Sequence, residues 1–334
     1  MFARLFGRGS VPQPPAIDTD LAQADMELRA ARDRALTGDW RAARDVVAAA
    51  TDWDLRGRRL AGLSNAAVRD SGWLMAWLTA EPDSPLAATL FAQYLSARAG
   101  DARGAKSAKH TSAEQFEAFA DLSAQAEAAS RRAIALDPQS PLPWHTVLYS
   151  KLADGHAQRS QFFAAFEEAV RRDPYNFDTH LAAVTYLCAK WFGSHEEMFR
   201  AARDVAAAAP PGSTAAMLPF LAHFEYSLRE HGFDERRDAT RNAHRRYHSR
   251  PEVQRELDAC VAKWRVGTPR LTGRDMTCRH WQVIGYMLGG RRAEAKAVLD
   301  EIGAFLGSTP AWGYFYHDQL EGFRAAWQWA NSAR

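Results

Sequence analysis

The sequence has few features that would cross-link the chain, anchor it in a membrane or cover it with one charge. Its three cysteines, Cys188, Cys260 and Cys278, form no Cys-x-x-Cys pair, which argues against a disulfide framework or a four-cysteine zinc site and favours a reducing cytoplasm. No window approaches the roughly 18 consecutive apolar residues of a membrane-spanning helix. The net charge of +2 argues against a general nucleic-acid or membrane coat.

β-branched residues are also sparse, whereas alanine is abundant and apolar residues recur at helical spacing. Apolar residues make up 47% of the 334-residue chain and charged residues 25%, a composition that can bury a core. These features predict an all-α protein.

The segment 188–203 predicts a helix, a short turn and a second helix. Lys190 is expected in the last turn of the first helix, and Gly193 in the turn with a positive φ angle. Ser194 and Glu197 have the spacing of a capping box at the start of the second helix. Helices joined this closely are expected to lie antiparallel.

Prolines mark a repeat of such hairpins. Pro138, Pro174 and Pro210 follow one another at intervals of 36 residues, and each interval has room for two helices and a turn, near Gly155 in the first and Gly193 in the second. A proline at this place ends one hairpin before the next begins. The period is typical of stacked helical repeats.

The hairpins resemble tetratricopeptide repeats (TPR). Residues that fit the second helix of that family are Phe166, Ala169 and Pro174, then Ala126, Ala133 and Pro138, and the segments 38–50 and 290–299. The Trp-x-x-Leu-Gly-x-x-Tyr pattern of the first helix is poorly kept. The stretch 190–196 is also similar to Lys-Trp-x-Gly-Ser-His-Glu stretches in bacterial TPR-like proteins. The resemblance implies an α-α superhelix, a solenoid of antiparallel hairpins with a concave face.

The hairpin pattern divides the chain into five parts. Asp18 is expected to cap the first helix, and the aromatic C-terminal segment is expected to cover the last one by packing. The predicted parts are a tail at 1–17, helical hairpins at 18–100, a loop at 101–111, central TPR-like repeats at 112–230, and C-terminal repeats with a capping helix at 231–334.

Polar and aromatic residues concentrate in three consecutive hairpins, where a concave face would bring several together. The leading hypothesis is a binding or scaffold protein without catalytic residues, metal or cofactor, which holds a peptide or protein partner on this face. A small molecule is an alternative ligand, and core packing by the tryptophans is the structural alternative. The candidate residues are Trp144, His145, His180, Lys190, Trp191, His195, Glu196, His223, Glu225 and Tyr226.

An enzyme with an enclosed pocket is the rival hypothesis. His195, His223 and Glu225 are its acid–base candidates, and at least two of them would have to lie within about 3 Å of each other or share one water. The familiar motifs are incomplete. The residue four positions after His195 is Phe199, which excludes a His-Glu-x-x-His zinc site, and segment 100–107 lacks the second glycine of a phosphate-binding loop.

The segment 236–250 is rich in arginine and forms the clearest charge anomaly. Arg237, Arg241, Arg245 and His248 fall on one face of the predicted helix. A solvated face with acidic partners nearby is one interpretation, and a site for an anionic partner is the other. Nucleic acid is not favoured because Tyr247 is the one aromatic residue in the run.

Overall fold

The computed structural model describes residues 14–104, 112–153, 159–232 and 238–332, and the predicted all-α class is confirmed within these ranges. Sixteen α-helices occur there. The first eight are α1 (Met26–Leu36), α2 (Trp40–Ala48), α3 (Trp53–Arg69), α4 (Gly72–Ala80), α5 (Pro85–Arg103), α6 (Ala113–Leu136), α7 (Leu142–Ala153) and α8 (Arg159–Arg172). The others are α9 (Phe177–Tyr186), α10 (His195–Ala208), α11 (Leu218–His231), α12 (Asp238–His248), α13 (Pro251–Arg265), α14 (Gly273–Leu288), α15 (Arg292–Ile302) and α16 (Gln319–Asn331). Short 3-10 turns cover Thr214–Met217 and Pro310–Tyr314.

Several helix ends agree with the sequence signals. The side chain of Ser194 accepts the backbone N–H of Glu197 at the start of α10. The predicted capping box is only half formed, because the Glu197 side chain pairs with Arg159 instead. Ser112 caps α6 in a reciprocal box with Gln115. The prolines at the repeat boundaries follow the ends of α6, α8 and α10 directly. The three prolines therefore mark helix ends, as the sequence predicted.

The predicted start of the first helix was wrong. The helix begins at Met26 and is capped by Asp25. The side chains of Asp18 and Asp20 instead accept backbone N–H groups two residues ahead, a local bond that competes with helix formation. Asp18 also pairs through its backbone with Phe305 in an isolated parallel bridge.

Two details of the 188–203 hairpin also differ from the prediction. The first helix ends at Tyr186, so Lys190 lies in the turn beyond it. Gly193 does not take a positive φ angle. A Cβ atom there would lie 2.2 Å from the carbonyl oxygen of Leu187, so the turn needs glycine for space.

The predicted loop at 101–111 begins later than expected. α5 continues to Arg103, and Gly104 follows it with a φ angle of 72°. Residues 105–111 lie outside the described part of the chain.

Six helices follow one another around a closed ring. α3 packs against α5, α5 against α7, α7 against α9 and α9 against α11, and α14 packs against both α11 and α3. α6, α8 and α10 form a second layer, each in contact with the ring helices before and after it in sequence. In an open solenoid the first and last units would not touch.

Aromatic side chains fill one side of the ring. Trp281 of α14 packs against Phe177 of α9 and Phe224 of α11, with ring centroids 5.4 and 6.3 Å apart. The aromatic C-terminal segment packs as expected, since Trp312 and Phe323 are fully buried. The space that remains lies next to α3, α5, α7, α9 and α14, and it extends to α6 of the second layer.

Candidate functional site

Two adjoining cavities occupy the open part of the ring. The apolar chamber has a volume of about 400 Å³ and the polar chamber about 280 Å³, and they share Ser96, Thr146 and Tyr149. The apolar chamber is completed by Ala99, Gly100, Arg103, Phe116, Phe119, Ser123, Ala126, Ser150, Leu152, Thr185 and Trp191. The polar chamber is completed by Gly57, Ala61, Ser64, Gln93, Ala97, His145, Asp178 and Arg274.

Helical periodicity explains why these side chains face inward. Gln93, Ser96 and Gly100 of α5 are spaced by three and four residues, so they lie on one helix face. Gly57, Ala61 and Ser64 of α3 follow the same rule. Small residues at these positions leave room where large apolar ones would have filled the ring.

The apolar chamber concentrates exposed aromatic rings. Phe116, Tyr149 and Trp191 are 40%, 42% and 38% exposed, and all three line this chamber. Among the described residues only four other large apolar side chains are exposed to this degree. Exposed rings gathered in a concave site are typical of a ligand pocket rather than of a packed core.

An ion pair and a histidine form one wall of the polar chamber. The Nε atom of Arg274 lies 3.2 Å from Asp178 Oδ2, and a second guanidinium nitrogen donates to Oδ1. Burial alone would raise the pKa of Asp178, but the Arg274 charge holds it below its ordinary value. His145 Nε2 lies 3.0 Å from the hydroxyl of Thr179, and burial lowers the pKa of the imidazole.

One acceptor in this chamber lacks a hydrogen-bond donor within the described part of the chain. Gln93 Oε1 is buried and receives no hydrogen bond from any described residue. A buried acceptor of this kind costs free energy unless a water or ligand donates to it. The polar chamber therefore suits a group that carries an N–H or O–H.

Further ionisable groups surround the polar chamber. Burial, and next the negative charge of Asp178, raise the pKa of Asp54 to about 7. Burial and the charge of Arg274 lower the pKa of Arg58 to about 10. The ring of Tyr149 is exposed in the apolar chamber, but burial of its hydroxyl raises the pKa to about 12, so this hydroxyl stays neutral and can donate a hydrogen bond.

Some of the sequence-predicted residues lie at these chambers. His145 lines the polar chamber and Trp191 the apolar one. Lys190 donates to the buried carboxylate of Glu225 over 2.7 Å, and Tyr314 donates to the same oxygen over 2.5 Å. Sequence reasoning did not single out Tyr314.

The three acid–base candidates do not meet. His195 Nε2 lies 2.9 Å from Glu230, whereas His223 is bonded to Tyr247 at 2.7 Å and to Glu256 at 3.2 Å. Glu225 has Lys190 and Tyr314 as partners. Among the described residues no hydrogen bond or ion pair joins any two of these candidates, so the arrangement that catalysis by them requires is not present there.

The other candidates have local structural partners. Trp144 is buried beneath the guanidinium of Arg172, 5.0 Å from its ring centroid. His180 Nε2 lies 2.8 Å from the carbonyl of Pro174. Tyr226 stacks on Tyr247 with centroids 4.8 Å apart, and the exposed Glu196 pairs with Arg200.

The predicted basic stripe is only partly present. His248 is fully buried and packs against Phe224 and Phe315, so its assignment to an exposed stripe was wrong. Arg237 lies outside the described residues, whereas Arg241 and Arg245 are exposed. The His248 side chain packs against these aromatic rings and does not face solvent.

Sequence reasoning missed Asp54, Tyr149, Asp178 and Arg274. Asp178 and Arg274 lie 96 positions apart, so no local spacing connects them. A usable signal was the run of small and polar residues at core spacing on α5, namely Gln93, Ser96 and Gly100.

No other protein identifies the site. Comparisons with family models, curated proteins and solved structures found no match. In the described ranges no set of three or more His, Cys, Asp or Glu side chains is arranged to hold a metal ion. No helix within those ranges has the length and apolarity needed to cross a bilayer.

Proposed function

We propose that the protein binds a small amphipathic molecule inside the helical ring. Its apolar part would lie against Phe116, Tyr149 and Trp191, and its polar end would donate a hydrogen bond to Gln93. The observation that carries this proposal is that the chamber with the exposed aromatic rings and the chamber with the Arg274–Asp178 pair share Ser96, Thr146 and Tyr149. A continuous site with an apolar end and a polar end fits such a ligand.

Ring closure favours a small ligand over the peptide expected from an open concave face. The contact of α14 with α3 encloses the surface on which a peptide would have been laid. Chambers of about 400 and 280 Å³ are in the size range of small-molecule sites. The dispersal of His195, His223 and Glu225 supports binding rather than catalysis by those residues.

We also infer a TPR-like origin for the central hairpins and a cytoplasmic location. Prolines directly after α6, α8 and α10 support the repeat. The three cysteines are buried and free, which supports a reducing compartment.

Binding of the fluorescent probe 1-anilinonaphthalene-8-sulfonate (ANS) tests the site. ANS is amphipathic, and its emission rises in apolar surroundings. We expect saturable binding to the wild type, roughly tenfold weaker binding to Trp191→Ala because an aromatic wall is lost, and loss of binding to Ser96→Leu, which blocks the junction of the chambers.

The matched control is Met75→Ala, because Met75 is 37% exposed and lies outside both chambers. It should bind ANS as the wild type does. Equal affinity of the wild type, Trp191→Ala and Ser96→Leu, with unchanged helical circular dichroism, would refute the proposed site.

A further inference from the structure

Another concave surface lies at the C-terminal end of α14. The polar chamber, in contrast, is lined by Arg274 at the N-terminal end of this helix. This surface, the arginine groove, has a volume of about 810 Å³ and lies between α12, the α14–α15 turn and α16. It is lined by Asn242, Arg245, Arg246, Ser249, Met287, Leu288, Gly289, Gly290, Arg292 and Trp329.

The groove carries positive charge without a compensating acid. Arg245, Arg246 and Arg292 line it, and no Asp or Glu is among its lining residues. Arg245 and Arg246 are exposed. In contrast, Arg291 just outside the lining pairs with Asp258 and with Glu294.

The two exposed arginines have no partner within the part of the chain that the structure describes. Within the described ranges, the guanidinium groups of Arg245 and Arg246 form no hydrogen bond or ion pair. The solvated-face interpretation of this segment required acidic partners on neighbouring helices. Two adjacent unpaired guanidinium groups form a favourable site for carboxylates, which they can hold through two parallel hydrogen bonds.

The floor of the groove is apolar. Met287 and Leu288 are each 7% exposed, and Trp329 beside them is half-buried. The guanidinium of Arg292 lies 5.4 Å from the Trp329 ring centroid. The groove therefore combines a cationic rim with an apolar floor.

We propose that the arginine groove binds an acidic peptide segment that places an apolar side chain between carboxylates. The carboxylates pair with Arg245 and Arg246, and the apolar side chain packs on Met287 and Trp329. Positive charge alone does not distinguish a peptide from nucleic acid. A peptide is favoured because the Arg292 cation already lies over a face of the Trp329 ring that base stacking would use. The site is independent of the small-molecule chambers.

A synthetic peptide tests the groove. The probe is fluorescein-labelled Glu-Asp-Glu-Leu-Glu-Asp-Glu, measured by fluorescence anisotropy against the full chain. We expect binding to the wild type that weakens as sodium chloride rises from roughly 50 to roughly 300 mM, since rim charges are screened. The double variant R245E/R246E should bind at least about tenfold more weakly, and Trp329→Ala should lose part of the affinity.

The control is Arg324→Glu, because Arg324 is exposed on the same helix as Trp329 but does not line the groove. It changes the net charge without changing the site and should bind as the wild type does. R245Q/R246Q repeats the test without new negative charge. Absent peptide binding, or equal loss in Arg324→Glu, overturns the proposal. Tighter binding of a labelled single-stranded oligothymidine, lost in R245Q/R246Q, would overturn the peptide assignment in favour of nucleic acid.

Discussion

Arg274 of α14 donates to both carboxylate oxygens of Asp178 on α9. The two residues are 96 positions apart in sequence, and their ion pair joins two helices of the ring. Their side chains are 15% and 12% exposed. A buried pair of this kind depends on both partners, because the remaining charge would be left in a poorly solvated site.

Removal of one partner should destabilise the ring. We expect Arg274→Ala to lower the free energy of unfolding by about 3–5 kcal/mol, because Asp178 would remain charged and buried. Urea denaturation followed by circular dichroism measures this change. Arg200→Ala breaks the exposed pair with Glu196 and should change stability by less than about 1 kcal/mol. Equal effects of the two variants would contradict the assigned role.

Asp54 should make stability fall as the pH rises. Its pKa is about 7 in the folded protein and 3.8 as the ordinary value, so the folded state retains the proton more strongly. The contribution of protonated Asp54 to the free energy of unfolding is fully present below pH 3.8 and is lost as the pH rises through about 7. At pH 8, Asp54→Asn should be more stable than the wild type by on the order of 2 kcal/mol.

The pH dependence of urea denaturation checks the Asp54 prediction. Asp121→Asn is the control, because Asp121 is exposed. Parallel pH curves for the wild type and Asp54→Asn would show that Asp54 does not titrate as described.

Glu256 should have the opposite effect on the pH dependence of stability, which should fall as the pH is lowered. Burial would raise its pKa, but hydrogen bonds from Arg203 and His223 lower it from 4.5 to about 2. The contribution is present above pH 4.5 and disappears as the pH falls toward 2. Glu256→Gln should therefore cost about 2 kcal/mol at neutral pH and progressively less in acid. A thermal unfolding series from neutral to acidic pH measures this, and a difference that does not shrink would be contrary to expectation.

Gly193 should not tolerate a side chain. The Cβ atom of Gly193→Ala would meet the Leu187 carbonyl at 2.2 Å, so the turn must shift, at a cost of roughly 1–3 kcal/mol. Gly100→Ala is the control, since a Cβ atom there meets nothing within 4 Å and α5 favours alanine. It should be neutral or stabilising by up to about 1 kcal/mol. Urea midpoints compare the two variants.

Local signals predicted the helices well because their causes are local. Ser194 caps α10 as its position indicated, and the repeat prolines lie shortly after the ends of helices. The prediction that Asp18 caps the first helix was wrong because its side chain accepts a nearby backbone N–H outside any helix.

The site could be predicted only in part, since its residues come together through ring closure. Trp191 and His145 were found because aromatic and imidazole groups stand out in any sequence. Asp178 gave no such signal, because its importance comes from Arg274 on a distant helix. The exposure of His248 was predicted wrongly because helical spacing identifies the residues of one helix face but not the side on which the neighbouring helices lie.

The backbone bridge between Asp18 and Phe305 connects the beginning of the described chain to its last quarter. The N–H of Asp18 donates to Ala304 over 2.8 Å, and its carbonyl accepts from Leu306 over 2.9 Å. Linear repeat arrays can fray from their termini one unit at a time, because each unit has support on two sides except at the ends. Here the terminal units support each other, so melting should proceed as a single cooperative event rather than by progressive unzipping.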